Sequence, residues 1–316
     1  MNIRTCLRIL APVGLLICLA LPAQSERISL KLGYSTNNIS GADINTWVDS
    51  FNLLWSDWQS LNGGDLLGSF SPVEYGGSLE VGLRIPLFKG LALNLSGSRH
   101  SASSEGAVSF QYATGNQLEE QFISNKVTAW PIKIGFSYAF VLPPLPRLSL
   151  LGGFGRHIIL ASYETVNNYK AEVTDLGRKF TYLINKQNKY SSEGLGYYAH
   201  LGVEFEIIQY VAVFLEGEKI WNSLNGFKGD FAYEALGFPG GDIRQDGNAS
   251  LYYYESDQNG TGTYYSLLAG HKDKPEGQLE WPLDGGPIEG PQIRNLRQGE
   301  LDFNHISFKI GIRFKF

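Results

Sequence analysis

The chain has 316 residues, a formal net charge of −5 and two cysteines. This mildly acidic balance, with no long basic run, excludes the charge pattern of nucleic-acid binding, so we expect no nucleic-acid partner. Both cysteines, Cys6 and Cys18, lie close to the amino terminus, and the rest of the chain therefore has no disulfide framework and no thiol chemistry.

The amino terminus has the pattern of a secretory signal peptide. Two arginines precede an apolar run (9–21), and Ala23 and Ser25 follow at the small-residue spacing that signal peptidase reads. We predict cleavage after Ser25, which makes 1–25 a signal peptide and 26–316 the mature protein. An uncleaved anchor is the alternative, but the apolar run is shorter than the roughly 20 residues of a spanning helix.

Eight segments alternate apolar and polar residues with period two, over about the 9 to 11 residues of a transmembrane strand. They lie at 28–34, 78–87, 91–98, 130–140, 147–154, 195–207, 211–218 and 305–316. Tight connections follow the second, fourth and sixth segments, whereas the other four connections are long. This sorting predicts an all-β, transmembrane, antiparallel up-and-down barrel of about eight strands, with short periplasmic turns and long extracellular loops. A soluble all-β carrier, which is the alternative, gives no reason for it.

The long connections are predicted to be external loops. They are 35–71, 101–126, 161–190 and 222–300. The first carries Trp47, Phe51, Leu54, Trp58 and Leu61 at spacings of three or four, which predicts an amphipathic helix. Its apolar face could lie on the outer leaflet, cap the lumen or pack against other loops.

Two further features of the loops stand out. In the second loop, 101–126, the alternating residues 106–112 extend the preceding strand beyond the membrane, towards a turn near 114–116. In the last, Tyr252–Tyr254 and Tyr264–Tyr265 flank Asn259-Gly260, which predicts a hairpin. Exposed tyrosines suit protein or glycan recognition, although they also stabilise cross-strand pairs.

Two arginines, Arg99 and Arg156, keep the outward phase near the external rim of the predicted barrel. They could meet lipid phosphates or point into water. Aromatic residues at the strand ends, such as Trp130 and Tyr197, suit the interfacial girdles of a membrane barrel.

The last strand is the most regular segment of the chain. From Ile306 onwards every second residue is large and apolar, up to a carboxyl-terminal phenylalanine. The positions that carry the pattern are Phe308, Ile310, Ile312, Phe314 and Phe316. This strand resembles the last strand of outer-membrane β-barrel proteins, in particular the small eight-stranded barrels of the OmpA, OmpX and OmpW type. The resemblance implies that these residues are a signal read by the outer-membrane assembly machinery.

The inward positions of the strands carry charges of both signs. The predicted lumen network consists of Lys31, Glu80, Arg84, Lys133, Glu204, Glu206, Glu216, Glu218, Lys309 and Arg313. An eight-stranded barrel is about wide enough for side chains to fill, and buried charges are tolerated when they are paired. We therefore predict a salt-bridge plug in which Lys309 pairs with Glu216 and Glu218. A charge-selective or proton-conducting path is the alternative, which dominance of one sign would favour.

These features predict a cell outer-membrane protein in contact with outer-membrane lipid and lipopolysaccharide. The first candidate function is a structural or loop-displaying binding or adhesion protein with an external protein or glycan ligand. The alternative is a narrow channel or carrier for small or apolar solutes. A hydrolase at the external rim is a lesser alternative, because His100 lies near Ser98 but no catalytic motif accompanies it. We predict that the protein is not an enzyme and that it binds no cofactor and no metal ion.

Overall fold

Fifteen strands and one helix make up the part of the chain that the computed structural model describes, which is 27–38, 43–238, 241–257, 263–271 and 293–316. The helix, α1, spans Asp43–Asn62. In chain order the strands are β1 (Ser29–Asn38), β2 (Gly64–Ser69), β3 (Tyr75–Phe88), β4 (Leu91–Tyr112), β5 (Gln117–Leu142), β6 (Leu145–Asp175), β7 (Arg178–Ile208), β8 (Val211–Trp221), β9 (Ser223–Leu224), β10 (Lys228–Leu236), β11 (Ile243–Asp257), β12 (Thr263–His271), β13 (Ile293–Gln298), β14 (Leu301–Asp302) and β15 (Ile306–Lys315). The predicted signal peptide lies outside the described residues. Among those residues, no helix combines the length and the apolar character needed to cross a membrane.

Eight of these strands close into a ring in which all neighbours are antiparallel. The order around the ring is β1, β3, β4, β5, β6, β7, β8, β15 and back to β1. Strand β15 completes the ring because it pairs on one side with β1, where Phe314 lies opposite Leu30, and on the other side with β8. The predicted all-β antiparallel up-and-down barrel of eight strands is therefore confirmed.

The outer wall of the ring carries a belt of exposed apolar side chains. Leu201 on β7 is 74% exposed, and Phe308 on β15 is 69% exposed. Further members of this apolar belt are Leu32, Leu79, Val81, Ile132, Phe136, Phe154, Phe205, Leu215, Ile310 and Ile312. Soluble proteins rarely expose an apolar surface of this extent, whereas a lipid-facing barrel wall requires one. This part of the barrel is built to span a membrane.

Three tight turns lie at one end of the barrel, which we call the turn end. Lys89–Gly90 joins β3 to β4, 143–144 joins β5 to β6, and Gln209–Tyr210 joins β7 to β8. Gly90 has a φ of +81°, which glycine adopts without the steric cost that other residues pay. All three turns agree with the sequence prediction.

Two of the predicted external loops, 101–126 and 161–190, are strands for most of their length, and the predicted extension of the preceding strand to a turn near 114–116 is confirmed. β4 and β5 continue to a turn at 113–116, and β6 and β7 continue to the turn at Leu176–Gly177. In these extensions the alternation is inverted, since Ile123 is buried inside while the neighbouring Phe122 faces out. Because lipid-facing strands carry apolar residues outward, segments of the opposite phase do not match that pattern, and of these extensions only the one at 106–112 was predicted as strand.

The inverted extensions enclose a hydrophobic core, which we call the external core. It lies beyond the apolar belt and is closed by α1. Buried members include Ile44, Trp47, Val48, Trp55, Phe70, Val73, Val108, Phe110, Ile123, Val127, Ile159, Tyr163, Tyr190, Phe227 and Phe303. Outside the membrane the wall meets water on its outer face, so the apolar side chains turn inward.

The helix predicted in the first loop is present, but its buried face is not the predicted one. Trp47 is buried and Phe51 packs against the external core, as expected. Leu54, Trp58 and Leu61 are exposed instead. The apolar residues of α1 cover more than one side of the helix, and the core selects the side that also carries Ile44, Val48 and Trp55.

The last long connection adds strands to the external part of the barrel. β10 pairs with the extension of β7, β11 pairs with β10, and both β12 and β13 pair with β11. β11 and β12 form the predicted tyrosine-rich hairpin, with Ser256 opposite Tyr264. The predicted turn at Asn259-Gly260 lies outside the described residues.

Candidate functional site: the barrel lumen

The ten predicted lumen residues all occupy inward-facing positions, because successive side chains of a strand point to opposite faces of the wall. They come from β1, β3, β5, β7, β8 and β15. Nine of them form ion pairs with one another or with Lys315. The strand alternation therefore delivers the charges to one enclosed space.

Four of these residues form a closed circuit of alternating charge, which we call the central ring. It consists of Glu80, Lys133, Glu218 and Lys309. The Nζ atom of Lys133 lies 3.0 Å from Glu80 and 2.6 Å from Glu218. The Nζ atom of Lys309 lies 2.5 Å from Glu80 and 2.7 Å from Glu218. Each charge thus has two partners of opposite sign.

The central ring is buried and electrically balanced. All four side chains are at most 4% exposed, and two lysines face two glutamates. Taking charges out of water costs several kcal/mol per ion, and only good pairing offsets it. A balanced ring satisfies this requirement, but it also makes each member necessary for the others.

A second set of ion pairs continues from the central ring towards the turn end. Lys31 lies 3.0 Å from Glu80 and also contacts Glu216. Arg313 contacts Glu204 and lies 3.6 Å from Glu216. These contacts connect the central ring to a chain of charges that follows the inner wall.

Lys315 ends this chain of charges and was not among the predicted lumen residues. Its Nζ atom lies 3.1 Å from Glu204 and 2.8 Å from Glu206. Its inward phase on the last strand could have identified it, since it follows Lys309 and Arg313 at alternate positions. Arg84 differs from the other predicted residues, because its Nη2 atom donates to the Gly90 carbonyl oxygen at 3.0 Å.

The predicted partners of Lys309 are only half correct. Lys309 contacts Glu218 as expected, but its second partner is Glu80. Glu216 lies opposite Lys309 in the backbone register, yet its carboxylate contacts Lys31 and Arg313. The side chains lean along the strands and across the lumen, so backbone register alone does not determine the pairing.

Three buried histidines line the lumen next to the central ring. Oγ of Ser98 and Nε2 of His100 share a hydrogen bond of 2.9 Å, and the Asn222 amide lies 3.1 Å from Nε2 of His157. The rings of His100 and His305 meet edge to face, with centroids 6.0 Å apart. No group of three or more metal-ligating side chains in the described part of the chain is arranged to hold a metal ion. The histidines fill the lumen above the ring.

A small cavity lies in the lumen beside the central ring. A cavity of about 30 Å³ lies among the charged residues, with Lys31, Arg84, His200 and Glu216 in its lining. A cavity of this size holds roughly one or two water molecules. Within the described residues, the centre of the barrel is thus filled by side chains.

The chain is similar to known proteins in structure and not in sequence. No family model matches the chain, and no curated protein matches its sequence. Among solved structures, the outer-membrane protease OmpT from Escherichia coli is similar, with 9% identity, a TM-score of 0.32, and coverage of 93% of this chain and 99% of that one. This match to a protease contradicts our prediction that the chain is not an enzyme, and we withdraw that prediction. At this level of similarity the match transfers no residue role to this chain.

The external core seals the lumen on the side away from the turn end. Two asparagines of α1 hold the segment that follows β2. The Asn45 side chain exchanges two hydrogen bonds with the backbone of Val73, at 3.0 and 2.8 Å. The Asn52 side chain does the same with the backbone of Phe70, at 2.9 and 2.8 Å. The sequence contains this signal as two asparagines seven residues apart on one helix face.

Contacts with the barrel wall fix the other end of the helix. The indole of Trp55 donates to Oε1 of Gln121 at 2.8 Å, and the indole of Trp58 donates to the hydroxyl of Tyr112 at 2.7 Å. Burial and a hydrogen bond to Glu119 raise the pKa of Tyr112 to about 12, so this hydroxyl keeps its proton and donates to Glu119. The helix is therefore attached to the inner face of β4 and β5.

Proposed function

We propose that this protein is an outer-membrane β-barrel that is closed to solutes and carries a binding surface on its external strands. The observation that supports closure is the central ring, in which two lysines and two glutamates fill the lumen at full burial. The apolar belt supports residence in a membrane, because exposed side chains of this kind require lipid around them.

The external core supplies a second barrier. Trp47 and Trp55 of α1 are buried above the lumen together with Phe110 of β4. A solute would have to displace both this core and the central ring. The alternative of a narrow channel has no specific observation in its favour, since the cavity among the lumen charges measures about 30 Å³.

The proposed binding surface is the external sheet. β6 and β7 are each 31 residues long, about three times the length that crosses a membrane. The extensions project beyond the apolar belt, and β10 to β13 widen the sheet that they begin. A rigid, extended sheet of this kind suits an external protein or glycan ligand, since its edges and exposed side chains remain available.

Conductance in planar bilayers tests closure. The wild-type barrel should insert without steady ionic current. The variant Glu80→Ala with Lys309→Ala removes one charge of each sign from the central ring and should conduct once Asn45→Ala and Asn52→Ala also loosen α1, which closes the external core. The matched control, Glu120→Ala with Lys170→Ala, removes an external ion pair of 3.0 Å and should stay silent. Steady current through the wild type would contradict closure and support the channel.

Adhesion assays test the binding surface. Cells that display the wild-type barrel should bind immobilised glycans or matrix proteins better than cells that display a variant with the β6–β7 hairpin shortened by residues 170–183. Outer-membrane levels of the two proteins should be equal, which separates binding from assembly. Equal binding by both would contradict display by this hairpin.

A further inference from the structure

Two arginines project from the outer wall beside the apolar belt. The guanidinium group of Arg99 on β4 lies 5.5 Å from the ring centroid of Trp130 on β5. The guanidinium group of Arg156 on β6 lies 5.1 Å from the ring centroid of Tyr197 on β7, and its Nη2 atom donates to the Tyr197 hydroxyl at 3.1 Å. Both cations are thus held against aromatic rings that face outward.

The strand neighbours of these arginines are apolar or aromatic. Arg99 lies opposite Leu79, which is 68% exposed. Arg156 lies opposite Ile134 on one side and Tyr197 on the other. In the described part of the chain, neither arginine has a carboxylate within ion-pair distance.

Charges farther from the belt are arranged differently. Lys126 lies opposite Glu164, and Glu164 forms an ion pair of 3.1 Å with Lys189. There the outer face carries acids and bases side by side, as water-exposed strands commonly do. The two arginines therefore differ from Lys126 and Lys189 in their position and in their neighbours.

We infer that Arg99 and Arg156 bind the phosphate groups of a lipid of the outer leaflet. A guanidinium group within hydrocarbon is costly, and the long side chain reaches towards the headgroup level. The planar fork of arginine matches phosphate oxygens with two parallel hydrogen bonds. Stacking on Trp130 and Tyr197 holds the forks in place before the lipid arrives.

The arrangement suits a lipid with more than one phosphate. The two arginines and their rings lie on four adjacent strands, β4 to β7, which at about 4.8 Å per strand gives a patch about 14 Å wide across the strands. Along the strands the arginines are offset, because Arg99 lies beside Trp130 whereas Arg156 lies opposite Ile134. Acyl chains would lie on apolar belt residues such as Leu79 and Ile132. This inference rests on the proposed location of the belt in the outer membrane.

Native mass spectrometry of the purified barrel in detergent tests the site. The probes are lipid A and the same lipid after removal of both phosphates. The wild-type barrel should bind the phosphorylated lipid more tightly. Arg99→Gln with Arg156→Gln should weaken that binding roughly 100-fold, since a loss of 1.4 kcal/mol per arginine is tenfold. The control Lys126→Gln should bind as the wild type does.

Three results would overturn the inference. Equal affinity for the two lipids would exclude phosphate recognition, and unchanged binding by the double variant would exclude these arginines. Release of bound lipid A by millimolar inorganic phosphate alone would identify free phosphate as the ligand. Heat-modifiable gel mobility shows that each variant is folded, and Arg156→Lys should retain part of the affinity. Absence of the wild type from outer-membrane fractions would instead contradict the proposed function.

Discussion

The ammonium group of Lys309 on β15 lies 2.5 Å from a carboxylate oxygen of Glu80 on β3, although β1 separates the two strands. The contact crosses part of the lumen and closes the central ring. In the backbone register Lys309 lies opposite Glu216, so the barrel wall places one acid beside this lysine while its side chain reaches two others. The stability of the lumen should therefore depend on Glu80 and Glu218.

Lys309→Met should lower the denaturant midpoint of the barrel in lipid or detergent, as measured by tryptophan fluorescence. Removal of one member of a buried ion pair typically costs about 3 to 5 kcal/mol. Glu80 retains Lys31 and Lys133 as partners, whereas Glu218 retains Lys133 and shares it with Glu80, so the excess negative charge falls mainly on Glu218. Addition of Glu218→Gln should recover part of the loss.

Glu216→Gln is the matched control for that rescue. It removes a carboxylate from the same lumen, but this carboxylate forms ion pairs with Lys31 and Arg313. Combined with Lys309→Met, it should lower stability further. Rescue by Glu216→Gln and none by Glu218→Gln would show that the pairing follows the backbone register after all.

Asn52→Ala should loosen α1 and the segment that it holds. The change leaves the buried backbone N–H and C=O of Phe70 without partners, at a cost of about 1 to 3 kcal/mol. Hydrogen exchange of 43–73 should accelerate while the strands of the apolar belt stay protected. Asn62→Ala serves as the control, because that side chain bonds only within its own helix, to the carbonyl of Trp58. Equal exchange in both variants would contradict the role of Asn52.

The inverted phase of β5 predicts opposite outcomes at adjacent residues. Ile123→Asp places a charge in the external core, where Ile123 is 1% exposed, and should prevent folding. Phe122→Asp places the same charge on the outer face, where Phe122 is 37% exposed, and should be tolerated. Expression levels and heat-modifiable gel mobility of the two variants measure this. A tolerated Ile123→Asp would mean that water enters the external core.

Deletion of Phe316 should lower outer-membrane levels and increase periplasmic degradation. Its strand, β15, pairs with both β1 and β8 and closes the barrel, and the aromatic end resembles the assembly signal of outer-membrane barrels. Phe154→Ala is the control, since this phenylalanine of the belt is similarly exposed but lies inside the chain. If both variants reach wild-type levels, the terminal residue is not part of a signal.

The mature protein should begin at Glu26, because Ala23 and Ser25 have the spacing of a signal-peptidase site. Mass analysis of the protein extracted from membranes measures this directly. Retention of Met1 would mean that the amino terminus is an anchor.

The eight membrane-crossing strands and their three tight turns followed from the sequence because the orientation of a strand side chain is local. Residues at alternate positions share a face whatever the rest of the chain does, so Leu201 and Phe308 were predicted to face outward and Lys133 and Glu218 inward. The sequence also indicated α1, since helical spacing is equally local.

The tertiary structure decided which environment and which partner residues each of those faces contacts. The same alternation encloses charges within the membrane and apolar residues beyond it, so the strand extensions other than 106–112 were not recognised from one phase of the pattern. The partners of Lys309, the buried side of α1 and the rings beneath Arg99 and Arg156 depend on strand stagger and on contacts between distant parts of the chain. The sequence pattern determines the direction in which each side chain of a strand points. The distance between side chains across the lumen is set only when the barrel closes.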